Sequence, residues 1–330
     1  MKALVTGGGG FLGEAIVRKL RARGDDVTSF SRGHYPAIEA LGARTVQGDV
    51  ADAGAVLRAA DGADLVFHVA AKPGVWGPAE AYEAANVRGT ENVLEACRRH
   101  GIRRLVHTSS PSVVFGGHDE AGVDESVPYP GRYLAHYPRT KAISERAVLA
   151  ANSADLATVA LRPHLIWGPG DNHLVPRIVG RAKAGKLRLV GGGTNLVDHV
   201  YVDNAADAHL AAADRLAPGS AVAGKAYFVT NGEPLPIAEL IGRILEAAGL
   251  PRERRSVSPA VAYAAGTVAE VVFKALKIES EPRMTRFLAR QLSCAHWYDI
   301  SAARRDLGYE PAVSTEEGMR RLATSLRGSA

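Results

Sequence analysis

The chain has 330 residues, enough for one large domain or two, and its 46% apolar and 23% charged content is ordinary for a globular protein. That composition excludes collagen, coiled coil and a mostly disordered chain, and a chain of this size buries a core without disulfide staples. Lysine and arginine exceed aspartate and glutamate by five, and basic pairs such as Arg98-Arg99 and Arg103-Arg104 lie scattered without interleaved aromatics, which argues against a nucleic-acid-binding face. The first residues, Met1 to Thr6, run straight into a strand-like segment and lack the longer apolar region of an export signal. With only Cys97 and Cys294 for thiols, a reducing compartment is the default. The expected localisation is cytoplasmic.

Ala3-Leu4-Val5, Val27 to Phe30, Leu65-Val66-Phe67, Leu105-Val106-His107 and Thr158 to Leu161 read as buried strands. Helical patterns lie between several of them, with Phe11, Leu12, Ala15, Ile16 and Leu20 on one face, and Val93, Leu94 and Cys97 on another. Strand and helix in alternation imply parallel strands joined by right-handed crossovers, hence an α/β fold with a Rossmann-type doubly wound sheet over residues 1–165. Ligands in that architecture bind at the carboxyl ends of the strands. Over residues 166–330 the rhythm loosens under proline and glycine and turns mostly helical. This half reads as a smaller substrate-binding lobe, some of whose segments return to the first domain. Its most apolar stretch, Ser256 to Ala269, is 14 residues without charge and too short to span a bilayer. Val261, Ala264, Ala265, Val268, Val271, Val272 and Ala275 recur at helical spacing; the expectation is that they shelter alkyl chains at the mouth of the site, with plain core packing as the equal alternative and association with a membrane surface or partner enzyme as a weaker one.

Thr6 to Gly13 supplies Gly7, Gly10, Phe11, Leu12 and Gly13 between the first strand and the first helix. Glycines there permit a tight turn and a close approach of backbone amides to a pyrophosphate at the helix N-terminus. The second strand ends in Ser31-Arg32 with no acid from Val27 to Ile38. Arg32 therefore suits a ribose 2′-phosphate, and the expected cofactor is NADP(H). Asp49 and Val50 follow the third strand beside the adenine, although Asp49 also fits a turn. Ala70, Ala71 and Lys72 follow the fourth, where small side chains leave room and Lys72 reaches toward phosphate or ribose. Asn86 reads as an amide bracing two strands.

Tyr137-Pro138-Arg139-Thr140-Lys141 opens a helix, which stacks the phenol and the ammonium one turn apart. A neighbouring ammonium lowers a tyrosine pKa, and such a phenol protonates a ketone oxygen as hydride reaches the carbon. A hydroxyl from the end of the fifth strand completes the group, with Ser110 the first choice and Ser112 the second. No Cys, His and carboxylate cluster has metal-ligand spacing, so no metal is expected.

On these motifs the chain resembles the extended short-chain dehydrogenase/reductase superfamily over nearly its whole length. Within it, Tyr137 to Lys141, Arg162-Pro163 and Val202 to Ala205 resemble the 3β-hydroxysteroid dehydrogenase branch. Leu161 to His164, Asn195 to Asp198 and Gly224 to Ala226 are similar to its sterol-carboxylate dehydrogenases. Ala70 to Lys72, Trp76-Gly77, Trp167 to His173 and Ala295 to Tyr298 are similar to its bacterial long-chain 3-oxo acid reductases, and more continuously so. The resemblance implies a Ser110/Tyr137/Lys141 catalytic group, with NADP(H) on the glycine loop and Pro163 beside it. It implies reduction of a long-chain 2-alkyl-3-oxo acid in olefin biosynthesis, with oxidation of a 3β-hydroxysteroid or sterol carboxylate as the alternative. The 3-oxo acid and the sterol carboxylate both carry a carboxylate near the reacting carbon, so Trp76 and the cations His164, His173 and Arg177 are the candidate substrate residues. A nucleotide-sugar epimerase is disfavoured by the C-terminal half, and a dinucleotide-sensing regulator by the intact Tyr137 and Lys141. A homodimer and association with neighbouring pathway enzymes complete the expectation, with no nucleic acid and no integral membrane span.

Overall fold

A computed structural model describes residues 1–328. Seven parallel strands form its central sheet: β1 (Lys2–Thr6), β2 (Asp26–Ser31), β3 (Arg44–Gln47), β4 (Leu65–His68), β5 (Arg104–Thr108), β6 (Ala157–Pro163) and β7 (Lys225–Val229). Their order across the sheet is 7-6-5-4-1-2-3. Val5 and Leu4, adjacent in β1, point to opposite faces, and each belongs to its own buried apolar cluster, one against helix α1 (Phe11–Ala22) and one around Val56 and Val93. Strands covered on both faces read as unbroken apolar runs, which is why β4 and β6 are buried at every position. The order reverses at β1, between β2 and β4, and the crevice at that switch point is where such sheets bind ligands.

The C-terminal half does not stay apart. Strand β7 comes from it and pairs with β6 in register from Val159↔Lys225 to Pro163↔Val229. Helix α4 (Val202–Arg215) lies against α1, with Arg18–Asp203, Lys19–Asp207 and Arg23–Asp214 ion pairs between the two. Helices α2 (Gly89–His100) and α3 (His136–Ala150) complete the nucleotide-side layers. The remaining lobe is built on a four-stranded sheet, Leu235–Pro236, Leu196–Val197, His296–Tyr298 and Glu120–Val123, and on several helices.

One of these, α5 (Pro259–Ala275), overturns the core-packing reading of its apolar stripe. Val261, Val268, Val271 and Val272 are 59%, 63%, 65% and 42% exposed, while Ala262 and Gly266 are buried. The stripe faces outward, with Val271 on the wall of a second cavity. Small residues on the opposite side let the helix approach its neighbour: a side chain at Gly266 would collide with the Thr285 backbone. Among the described residues no helix is long and apolar enough to cross a membrane.

Candidate active site

At the carboxyl ends of the strands lies a cleft of about 620 Å³. Gly7, Gly10, Phe11, Leu12 and Gly13 form one wall, Ser31, Arg32, Asp49 and Val50 the end beyond β2 and β3, and Ala70, Ala71, Lys72 and Pro163 another side, with Ser110, Tyr137 and Lys141 also on the wall. The glycine loop fits a dinucleotide on its own geometry. Gly7 adopts φ +73°, and a side chain there would press on the Ala70 backbone, while one at Gly13 would run into the Gly7 carbonyl. Gly10, the N-cap of α1, offers no side-chain acceptor, so the first-turn N–H groups are left for a phosphate. The Ser31 hydroxyl accepts from the Gly9 amide at 2.9 Å and ties the loop to the end of β2.

Arg32 lies exposed at the end of the cleft beyond β2, and among the described residues no carboxylate pairs with it. The nearest acid in the sequence beyond it, Glu39, accepts from Thr45 and pairs with His34. Asp49 lines the cleft, and its carboxylate accepts from the Ala51 amide at 2.9 Å in a turn. Tyr35 also lines this end, its ring lying against Gly9. Sequence reasoning passed over it, since an aromatic two residues beyond Gly33 carries no motif. Leu165 was missed as well. It enters the cleft with φ +40°, a left-handed conformation that L side chains rarely adopt.

Helix α3 carries the candidate reacting groups. Tyr137 lies in its first turn and Lys141 in the second, and both face the cleft. Ser110, not Ser112, is on the cleft wall. Ser112 is buried behind it, with the two hydroxyls 2.9 Å apart. The expected lowering of the Tyr137 phenol by Lys141 is absent. Burial raises the phenol above its ordinary value, with the Ser110 hydroxyl pulling modestly the other way. Lys141 points instead at the Thr108 carbonyl oxygen, 2.7 Å, and at His107 Nε2, 3.3 Å. Burial brings its ammonium down to about 8, with Glu145 opposing the shift. His107 Nε2 also meets the Ser144 hydroxyl at 3.0 Å, and burial holds this imidazole well below its usual range. Asn86 braces a loop to a helix rather than two strands: its carbonyl accepts from the Lys72 amide, and its NH₂ donates to Thr140.

The candidate substrate residues scatter. His173 lines the cleft. His164 is 5% exposed and bonded to His296 at 2.7 Å, and burial drives its pKa well below 6.5, so it carries no charge for a carboxylate. Arg177 is paired with Glu281, outside the cleft wall. Trp76 lines a second cavity, donating from Nε1 to the Ile278 carbonyl at 3.0 Å.

The model of the 3-beta hydroxysteroid dehydrogenase/isomerase family matches residues 4–259. Over 98% of its length the chain is 55% identical to a 2-alkyl-3-oxoalkanoate reductase of Stenotrophomonas maltophilia, covering 99% of that protein. It is 51% identical, over 98% of its length and 86% of the relative, to a protein of the same name from Shewanella oneidensis. Among solved structures, a Thermus thermophilus UDP-glucose 4-epimerase complexed with NAD superposes over 100% of both chains with a TM-score of 0.77 at 25% identity.

Proposed function

Because this chain belongs to the 3-beta hydroxysteroid dehydrogenase/isomerase family, we propose that it uses NADPH to reduce a long-chain 2-alkyl-3-oxoalkanoic acid to the 3-hydroxy acid, in olefin biosynthesis. It is an oxidoreductase of the CH–OH/ketone type, and its nicotinamide cofactor supplies the hydride. The reductase relatives, at 55% and 51% identity, support the acid as substrate. The observation that carries the reading is the placing of Tyr137. Its phenol faces the cleft with Ser110 and Lys141 and is protonated at neutral pH, so it is ready to donate to a ketone oxygen. Ser110, on the cleft wall with that phenol, supplies a second hydroxyl for the same oxygen. His173, on the cleft wall, is the candidate partner for the carboxylate. Arg32, unpaired at the end of the cleft beyond β2, supports the choice of NADPH.

A 3-oxo acid loses CO₂ readily because its ketone accepts the developing negative charge, and reduction removes that electron sink. The test runs the reaction backwards. A 2-alkyl-3-hydroxy acid and NADP⁺ should yield NADPH and the ketone left after decarboxylation. Arg32→Ala should weaken NADPH binding about ten- to a hundredfold by removing a charge-assisted contact of about 1.5–3 kcal/mol, with NADH use little changed. A protein that leaves this acid untouched and oxidises a 3β-hydroxysteroid would overturn the assignment.

A further inference from the structure

We infer that the second cavity is a hydrocarbon-chain site, holding one of the two chains of the acid whose carbonyl reacts at Tyr137; this rests on the substrate class proposed above. The cavity measures about 780 Å³, within the roughly 300–1,000 Å³ typical of small-molecule sites. The cleft beside it, at about 620 Å³, must take a whole dinucleotide. That leaves little of it for an acid with two long chains.

The two spaces lie back to back on the same two segments. In the loop after β4, Lys72 and Pro73 wall the cleft, and Val75 and Trp76 wall the cavity. In the first turn of α3, Tyr137 faces the cleft while His136 and Arg139 face the cavity. Tyr82 stands between them, its hydroxyl donating to the Trp76 carbonyl at 2.9 Å and its ring 6.2 Å from that of His136. A chain reaching the cavity from the reacting carbon must pass Tyr82, which is 1% exposed. On the outer side Trp76 meets Phe273 of α5 edge to face, with centroids 6.1 Å apart, which joins the loop to the helix.

The half-buried part of the wall suits an apolar ligand. Val75, Trp76, Leu134 and Phe273 supply it, while Arg139 is paired with Glu83 and Arg286 with Glu270. Lys274, Lys277 and Glu279 also line the cavity but are exposed to solvent. Among the described residues, none of the buried polar side-chain atoms left without a partner belongs to this wall. Each methylene that enters against the apolar side chains gains about 0.8 kcal/mol.

The test uses cis-parinaric acid, an intrinsically fluorescent long-chain fatty acid, on the full-length protein. It should bind saturably. Ala79→Trp, which fills the cavity from the loop side, should weaken that binding by about tenfold or more, the cost of about two displaced methylenes. Thr267→Trp, which fills it from α5, should do the same, and NADPH binding should be unchanged in both. In turnover, both variants should raise KM for a long-chain 2-alkyl-3-hydroxy acid and leave that for 2-methyl-3-hydroxybutyrate alone. No parinarate binding, or binding indifferent to both substitutions, would overturn the inference, as would equal KM changes for long and short acids. Parinarate binding that responds to the variants in a protein inert toward every 3-hydroxy acid would sink the proposed activity but keep the chain site.

Discussion

Lys141 brings its charge into a buried place where a carbonyl oxygen and a neutral imidazole are its hydrogen-bond partners. Its folded-state value of about 8 lies below the unfolded value of about 10.4, so the folded chain is destabilised wherever the ammonium is charged. That penalty is full below about pH 8 and fades as pH rises toward about 10.4, where the unfolded chain gives up the same proton. A shift of this size corresponds to about 3 kcal/mol, offset by about 1 for the lost bond to Thr108. Lys141→Met should therefore be inactive yet about 2 kcal/mol more stable at pH 7, with the gain shrinking toward pH 10. Urea denaturation at several pH values reads this directly, and a variant less stable at every pH contradicts it. The same burial keeps His107 uncharged, so the ammonium has no second cation beside it.

Helix α3 is held by polar groups on the face it buries. Glu145, one turn beyond Lys141, takes two hydrogen bonds from Arg162 of β6, at 2.8 and 3.0 Å, with both side chains almost wholly enclosed. Removing one member strands the other's charge, so Arg162→Met should cost about 3–5 kcal/mol and lower kcat by loosening the helix under Tyr137. The double variant Arg162→Met/Glu145→Gln should recover much of the stability, as thermal denaturation of the three proteins would reveal. At this scale the sequence was most readable where backbone geometry demands a residue type. The glycine loop needs the absence of side chains at Gly7 and Gly13, and Tyr137 and Lys141 sit at a fixed helical spacing. It was least readable where a pattern says nothing about what lies opposite. The valines of α5 have helical periodicity, yet the small residues Ala262 and Gly266 won the packed side because they allow closer approach to the Thr285 backbone. His164 looked like a cation until His296, 132 residues away, met it in the core.

Across the whole molecule, the two halves of the chain are stitched together rather than placed side by side. The second half gives the sheet its outer strand and lays α4 along α1. The ion pairs between those helices are partly exposed and contribute about 0–1 kcal/mol each, so the bond between halves is chiefly apolar. Residues 1–165 made alone should lack β7 and leave β6, buried along its whole length in the full chain, as a bare edge. Such an edge recruits other strands. The fragment should elute as aggregate in size-exclusion chromatography where the full chain does not, and a soluble monomeric fragment would refute this. The pairing of β6 with β7 also sets a timetable for synthesis. Every residue of the glycine loop and both Tyr137 and Lys141 leave the ribosome well before Lys225–Val229. At about 5–20 residues per second, the nascent sheet waits several seconds with that edge uncovered. In the living cell this interval, rather than the finished protein, is when the chain most needs a chaperone.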